Sequence, residues 1–297
     1  MEIQGIIVPV LTPMWADESI CEEELRREVD RMIQAGVHGI FPCGTNGEGY
    51  ILSAEEKLRV IQVCVEQARG RVPVYAGTGC VSTGETVALS QRAEEIGADA
   101  LSVITPSFAA ASQEELVTHY RQVAASVHLP IVLYNIPMRT GNMLQPATVE
   151  KLSQVENIRA VKDSSGSFNN ILQYIALTRQ RKDFSVLSGN DALILWTVLA
   201  GGRGGVSGCA NVFPRNMVSI YEYAVTGNWT KAQQAQENIR PFRECFRFGN
   251  PNTIVKTAAR LMGHPVGPCR APFNQLSAQG MEALERALQT MQEKGID

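Results

Sequence analysis

Short apolar runs recur along the chain, at residues 5–11, 39–43, 73–76, 100–104, 130–134, 158–161, 184–187 and 205–206. Their hydrophobicity is continuous rather than alternating, the pattern of parallel strands covered on both faces. Between the runs, apolar positions fall at helical spacing, as in Leu25, Val29, Met32 and Ile33, and again in Leu116, Tyr120, Val123 and Val127. Four of these segments open on a serine with a glutamate three residues later: Ser19 and Glu22, Ser53 and Glu56, Ser82 and Glu85, Ser112 and Glu115. Each spacing predicts a capping box, in which serine and glutamate satisfy orphan amides of a first helical turn. Gly36 is placed to end the first helix.

Eight strands alternating with helices predict a (β/α)8 barrel over residues 1–227. An open doubly wound sheet is the alternative, but no GxGxxG follows the first strand. After Gly227 strand-like runs stop, and helical patterns follow at about 229–246, 251–262 and 277–294. Residues 228–297 are therefore expected to be a helical extension packed on the barrel, without catalytic chemistry of their own.

Composition narrows the function. The 297 residues are 44% hydrophobic and 19% charged, which suits a globular chain with a sizeable core. A net charge of −3 offers no field for nucleic acid or an anionic membrane, so neither is expected as a partner. Seven scattered cysteines without a CxxC, and four histidines without ligand-like spacing, point to a reducing cytoplasm and no structural metal. The first apolar run is broken by Pro9 and Pro13, so neither a secretory leader nor a membrane span is expected there.

A barrel of this class builds its active site from the C-terminal ends of its strands. One of the seven lysines, Lys162, closes an apolar run there, ahead of Ser164-Ser165-Gly166. Either its stem lies along the strand with the ammonium in water, or it is a desolvated amine that attacks a ketone to form a Schiff base. Other strand ends bring further candidates to the same rim. Gly44-Thr45-Asn46-Gly47 has the composition of a turn whose amides hold an anion, or of a tight turn into a capped helix. It lacks a phosphate-loop lysine, which favours a small carboxylate over a nucleotide. Tyr134 suits either packing or proton relay, and Arg139 either a bidentate carboxylate contact or a solvated loop. The glycine-rich run at 201–205 precedes the eighth strand and so lies at the wrong end for a ligand.

Four stretches taken together resemble a known family: Gly44-Thr45-Asn46-Gly47-Glu48, Tyr134-Asn135-Ile136-Pro137-x-Arg139-Thr140-Gly141, Val161-Lys162-Asp163 and Leu187-Ser188-Gly189-Asn190-Asp191. They are similar to the dihydrodipicolinate synthase / N-acetylneuraminate lyase family of class I, Schiff-base-forming aldolases, and the likeness extends to Cys269-Arg270-Ala271-Pro272-Phe273. The resemblance implies that Lys162 condenses with pyruvate or another 2-oxo acid and that Tyr134 transfers protons. Thr45 and Asn46 would hold the pyruvyl carboxylate, and Gly189 and Val206 would line the pocket, the first through its carbonyl. Arg139 would meet the carboxylate of an aldehyde co-substrate. An iminium withdraws electrons from the adjacent carbon, so no metal or cofactor is required. A homotetramer built as a dimer of dimers is also implied.

Three positions depart from the family pattern. Asn46 replaces the second hydroxyl of the usual pair, as in some hydroxy-oxoglutarate aldolase-like members. Phe108 stands where synthases and sialate lyases carry a tyrosine inserted from a neighbouring subunit, and phenylalanine relays no proton. Val81, Ala54 and Lys57 replace the Asn and His residues of the lysine-feedback pocket. These departures favour a general pyruvate-dependent lyase that makes or breaks a carbon-carbon bond. A genuine 4-hydroxy-tetrahydrodipicolinate synthase of lysine biosynthesis, a 2-keto-3-deoxy sugar acid aldolase or dehydratase, and a non-enzymatic 2-oxo acid binder remain as alternatives.

Overall fold

The computed structural model describes residues 1–296. Each of the eight apolar runs overlaps a strand: β1 (Gly5–Val8), β2 (Gly39–Ile40), β3 (Tyr75–Gly77), β4 (Ala100–Ile104), β5 (Ile131–Asn135), β6 (Ile158–Asp163), β7 (Ser185–Ser188) and β8 (Gly204–Val206). All pair in parallel, in the order β2-β1-β8-β7-β6-β5-β4-β3. A parallel bridge between Ile40 and Val74 links the two outer members, which closes the sheet into a (β/α)8 barrel.

The helices are α1 (Glu22–Gln34), α2 (Ala54–Ala68), α3 (Thr83–Ile96), α4 (Gln113–Ala125), α5 (Pro137–Thr140), α6 (Pro146–Ser153), α7 (Phe168–Thr178), α8 (Ile194–Leu199), α9 (Pro214–Val225), α10 (Trp229–Asn238), α11 (Arg240–Glu244), α12 (Pro251–Leu261) and α13 (Ala278–Glu293). Two apolar clusters result. The smaller fills the barrel interior with Ile7, Phe41, Tyr75, Val132, Tyr134 and Leu187 among others. The larger lies between strands and helices, and it joins barrel residues such as Val8 and Leu101 to Ile254, Leu284 and Met291 near the C-terminus.

Several boundaries differ from the expectation, for local reasons. The 5–11 run pairs only as far as Val8, because Pro9 has no N–H for the ladder. The 39–43 run yields a two-residue strand, after which Pro42 and a left-handed Cys43 (φ +59°) turn the chain. The 229–246 helix breaks after Asn238, with Pro241 in the first turn of α11.

The capping boxes also divide. Ser53 and Ser112 form the full reciprocal box. Ser82 accepts from the Glu85 amide, but the glutamate carboxylate takes the Ser82 hydroxyl rather than the backbone N–H. Ser19 caps nothing: α1 begins after Cys21, and the Ser19 hydroxyl donates to Asp17 Oδ1 at 2.6 Å. A left-handed Glu18 (φ +68°) turns the chain there and displaces Ser19 from the helix start.

Ser53→Ala and Ser112→Ala are each expected to lower unfolding free energy by ~1 kcal/mol in denaturant titrations, whereas Ser19→Ala stays within ~0.5 kcal/mol of wild type.

Candidate active site

Alternate residues of a strand share a face, and this periodicity places the lysine. Val132 and Tyr134 of β5, with Ala160 of β6, belong to the interior cluster, and Lys162 lies two residues beyond Ala160. The parallel register sets Tyr134 directly beside Lys162. Lys162 Nζ consequently lies 3.7 Å from the centre of the Tyr134 ring and 5.1 Å from that of Phe41. Its residue is only 4% exposed, so the stem does not carry the ammonium to water. Burial pushes Lys162 below the ordinary lysine range, while the Tyr134 hydroxyl and the Asp191 carboxylate act in the opposite direction.

The other candidates gather around this amine to different extents. Tyr134 Oη and Thr45 Oγ1 are 2.8 Å apart, a hydroxyl pair able to pass a proton. Among the described residues, no hydrogen bond takes up the backbone N–H of Thr45 or Asn46, which leaves two adjacent amides free for an anion. The Asn46 carboxamide faces the end of β8, where a side chain at Gly208 would approach its Oδ1 to 3.0 Å. Val206 packs in the interior cluster with Tyr134 and Phe41. Gly189 lies against the lysine: a Cβ there would stand 2.9 Å from Lys162 Cε and collide with Ser164 Oγ, so only glycine fits.

Arg139 sits apart from this cluster. It is exposed on α5 and donates from Nη2 to Asn250 Oδ1 at 3.3 Å. It shares with Thr45 and Tyr134 the wall of a cleft of about 760 Å³, in which Lys162 itself has no part. Phe108 follows β4 in a left-handed conformation (φ +80°), its side chain wholly exposed. A bulky residue in that region is uncommon and is retained where surroundings or function impose it. The glycine run at 201–205 enters β8 from its N-terminal end, away from this rim.

Five further residues, to which the sequence alone assigned no role, contribute. Phe41 forms part of the floor, edge-on to Tyr134 with ring centres 6.2 Å apart. Asp191, buried after β7, accepts from Ser207 Oγ (2.5 Å), the Cys209 amide (3.2 Å) and Arg243 Nη1 (3.2 Å). Glu48 and Lys256 form a fully buried ion pair at 2.7 Å, and Asn252 Nδ2 donates to the Thr45 carbonyl. A signal existed for Asn252 and Lys256, which are spaced i, i+4 in a helical stretch that also carries Ile254, Val255, Ala258 and Ala259. Among the described residues, no group of three or more His, Cys, Asp or Glu side chains is arranged to hold a metal ion, and no helix is long and apolar enough to cross a membrane.

Known proteins resemble this chain over nearly its whole length. The model of the dihydrodipicolinate synthetase family matches residues 2–291. The chain is 40% identical to the 4-hydroxy-tetrahydrodipicolinate synthase of Methanothrix thermoacetophila, with 97% of each chain covered. It is 39% identical to that of Methanopyrus kandleri, over 98% of this chain and 97% of the relative. Among solved structures, the 4-hydroxy-tetrahydrodipicolinate synthase of Methylacidiphilum fumariolicum SolV superposes with a TM-score of 0.95 at 33% identity, covering 99% of this chain and 97% of the other. A prophage protein of E. coli K12 from the dihydrodipicolinic acid synthase family, solved in complex with pyruvate, gives 0.94 at 32% identity over 98% and 99%. The buried lysine, its hydroxyl partners and the barrel that holds them are thus those of a chain that belongs to the dihydrodipicolinate synthetase family.

Proposed function

We propose that this protein is a pyruvate-dependent class I aldolase that forms a Schiff base at Lys162. The observation that carries the reading is the amine itself: buried, shifted toward its neutral form, and 3.7 Å from the centre of the Tyr134 ring. A neutral amine is the nucleophile that a 2-oxo acid needs. The free amides of Thr45 and Asn46 receive the carboxylate, and the Gly189 carbonyl and Val206 bound the pocket. Lys162 Nζ attacks the ketone carbon to give a carbinolamine, which loses water to give the iminium. Loss of a proton from the adjacent carbon yields the enamine, whose carbon adds to an aldehyde to give a new iminium, and water hydrolyses this to release the 2-oxo acid product and free Lys162; the reverse sequence cleaves the bond. The proton released or taken up at each stage passes through Tyr134 Oη, which Thr45 Oγ1 orients at 2.8 Å. No cofactor enters this sequence.

A second reading is favoured by the relatives named 4-hydroxy-tetrahydrodipicolinate synthase at 40% identity and by Arg139 in the cleft wall. In it the aldehyde is aspartate semialdehyde, whose carboxylate meets the Arg139 guanidinium. Product analysis after incubation with pyruvate and this semialdehyde, beside a panel of 2-oxo acids tested for cleavage, separates the two. Rapid consumption of both substrates supports the synthase, and cleavage of a longer 2-oxo acid alone supports the general lyase.

The assembly proposed with this function is a homotetramer, a dimer of dimers in the cytoplasm. Phe108, wholly exposed on a left-handed backbone, would enter the neighbouring subunit's site across the tighter interface. A tyrosine there would add a hydroxyl to the relay. Phe108→Tyr is therefore expected to raise kcat on the preferred aldehyde substrate by ~10-fold, the scale of a modest acid-base contribution, in steady-state assays; an unchanged kcat would mean that another group already moves that proton.

Replacing the lysine tests chemistry and energetics together. Because burial lowers its folded-state pKa, the unfolded chain binds more protons in the window between that value and the ordinary 10.5, and stability rises with pH through it. At pH values below the window the buried amine is a full liability. Lys162→Met is thus expected to abolish turnover while raising unfolding free energy near neutral pH by ~1 kcal/mol, a gain that shrinks as pH rises. Calorimetry across pH checks it, and a destabilised Lys162→Met would contradict the electrostatic account.

A further inference from the structure

Helix α12 buries Asn252, Thr253 and Lys256 among Ile254, Val255, Ala258 and Ala259; Thr253 donates to the Phe273 carbonyl, whereas Asn252 and Lys256 reach elsewhere. Four residues apart on one helix, they meet the same neighbour. That neighbour is the turn at 44–49, some two hundred residues away in sequence. Asn252 Nδ2 donates to the Thr45 carbonyl at 2.5 Å and to Tyr50 Oη at 3.3 Å. Lys256 Nζ donates to Glu48 Oε1 at 2.7 Å and to the Thr12 carbonyl at 2.8 Å. The other oxygen, Glu48 Oε2, accepts from the Arg270 amide at 2.8 Å. Both charged side chains are essentially without solvent contact, 1% and 0% exposed.

The turn itself needs this support. Glu48 is left-handed at φ +58°, a conformation that a glutamate keeps only where its surroundings over-determine it. Its amide and that of Gly49 close the turn on the Thr45 and Gly44 carbonyls, both at 3.1 Å. The Thr12 hydroxyl holds Gly47 O at 2.7 Å. A buried ion pair seldom adds net stability over an apolar pair of the same volume, so stability alone does not account for Lys256. What the pair does fix is the turn: Glu48 and the Thr45 carbonyl are both tied to α12, so the peptide that joins Thr45 to Asn46 is held from its carbonyl side.

We infer that Lys256 and Asn252 are positioning residues for the carboxylate of the 2-oxo acid, and that α12 sets the anion-holding turn from outside the barrel. The identity of the ligand rests on the proposed function; the control of the turn by α12 does not.

The test uses the full-length protein with Lys256→Met, Asn252→Ala, and a Glu48→Gln/Lys256→Met double variant that leaves no unpaired charge if the single variant fails to fold. Hydrogen exchange of the free proteins reads the turn. The Glu48, Gly49 and Ile51 amides are expected to exchange at least ~10-fold faster in the variants, with strands β4 to β7 protected as in wild type. Borohydride trapping with pyruvate reads the carboxylate: half-saturation is expected to rise ~10-fold, with the yield at saturation close to wild type. Wild-type exchange at these amides in a folded variant, protection lost evenly over the whole barrel, or an unchanged half-saturation would each overturn the inference. If wild type traps no 2-oxo acid, the Schiff-base function and the claim about its carboxylate both fall, while exchange still decides whether α12 sets the turn.

Discussion

The structure depends on keeping a titratable amine out of water. Lys162 occupies an interior position of β6 where its neighbours along and across the sheet are Ala160, Tyr134 and Leu187. Desolvation disfavours the ammonium, and a neutral amine inside a barrel is poised to attack a carbonyl. Everything near it either maintains that desolvation or limits it. Phe41, Val206 and Leu187 supply the apolar walls, and glycine at 189 lets the backbone come against the lysine stem. Asp191 limits the shift, and it is itself held by Ser207, the Cys209 amide and Arg243.

Around that amine the barrel arranges three groups at the ends of β2 and β5. The β5 end supplies a hydroxyl, hydrogen-bonded to Thr45 from the loop after β2. The same loop presents two unpaired amides in sequence, a small electropositive cup that requires no basic side chain. Arg139 stands farther out, on α5, in the wall of the open cleft. With the guanidinium out in the cleft wall, the lowering of the Lys162 pKa comes from desolvation rather than from a neighbouring cation.

Much of this was legible in the sequence, because strand ends carry the chemistry and apolar runs locate the strands. The eight runs found the barrel, and Lys162, Tyr134, Thr45 and Gly189 were visible as polar or small residues closing or following them. Local rules failed where the competition was tertiary. Ser19 has the spacing of a cap, but a left-handed Glu18 and the Asp17 carboxylate redirect its hydroxyl. Glu48 read as part of a turn motif, yet its partner is 208 residues away, and no local pattern pairs it with Lys256. The relation of Arg139 to the lysine was equally hidden, since it depends on where α5 leaves the β5 rim rather than on the five residues that separate it from Tyr134.

Lys162 is proposed as the amine that joins a 2-oxo acid. Borohydride reduction in the presence of pyruvate, followed by intact mass and peptide mapping, tests it most directly. One pyruvyl adduct per chain is expected, confined to Lys162 and absent without borohydride. An adduct spread over exposed lysines such as Lys151, or none on a folded protein with pyruvate or any longer 2-oxo acid, would contradict it.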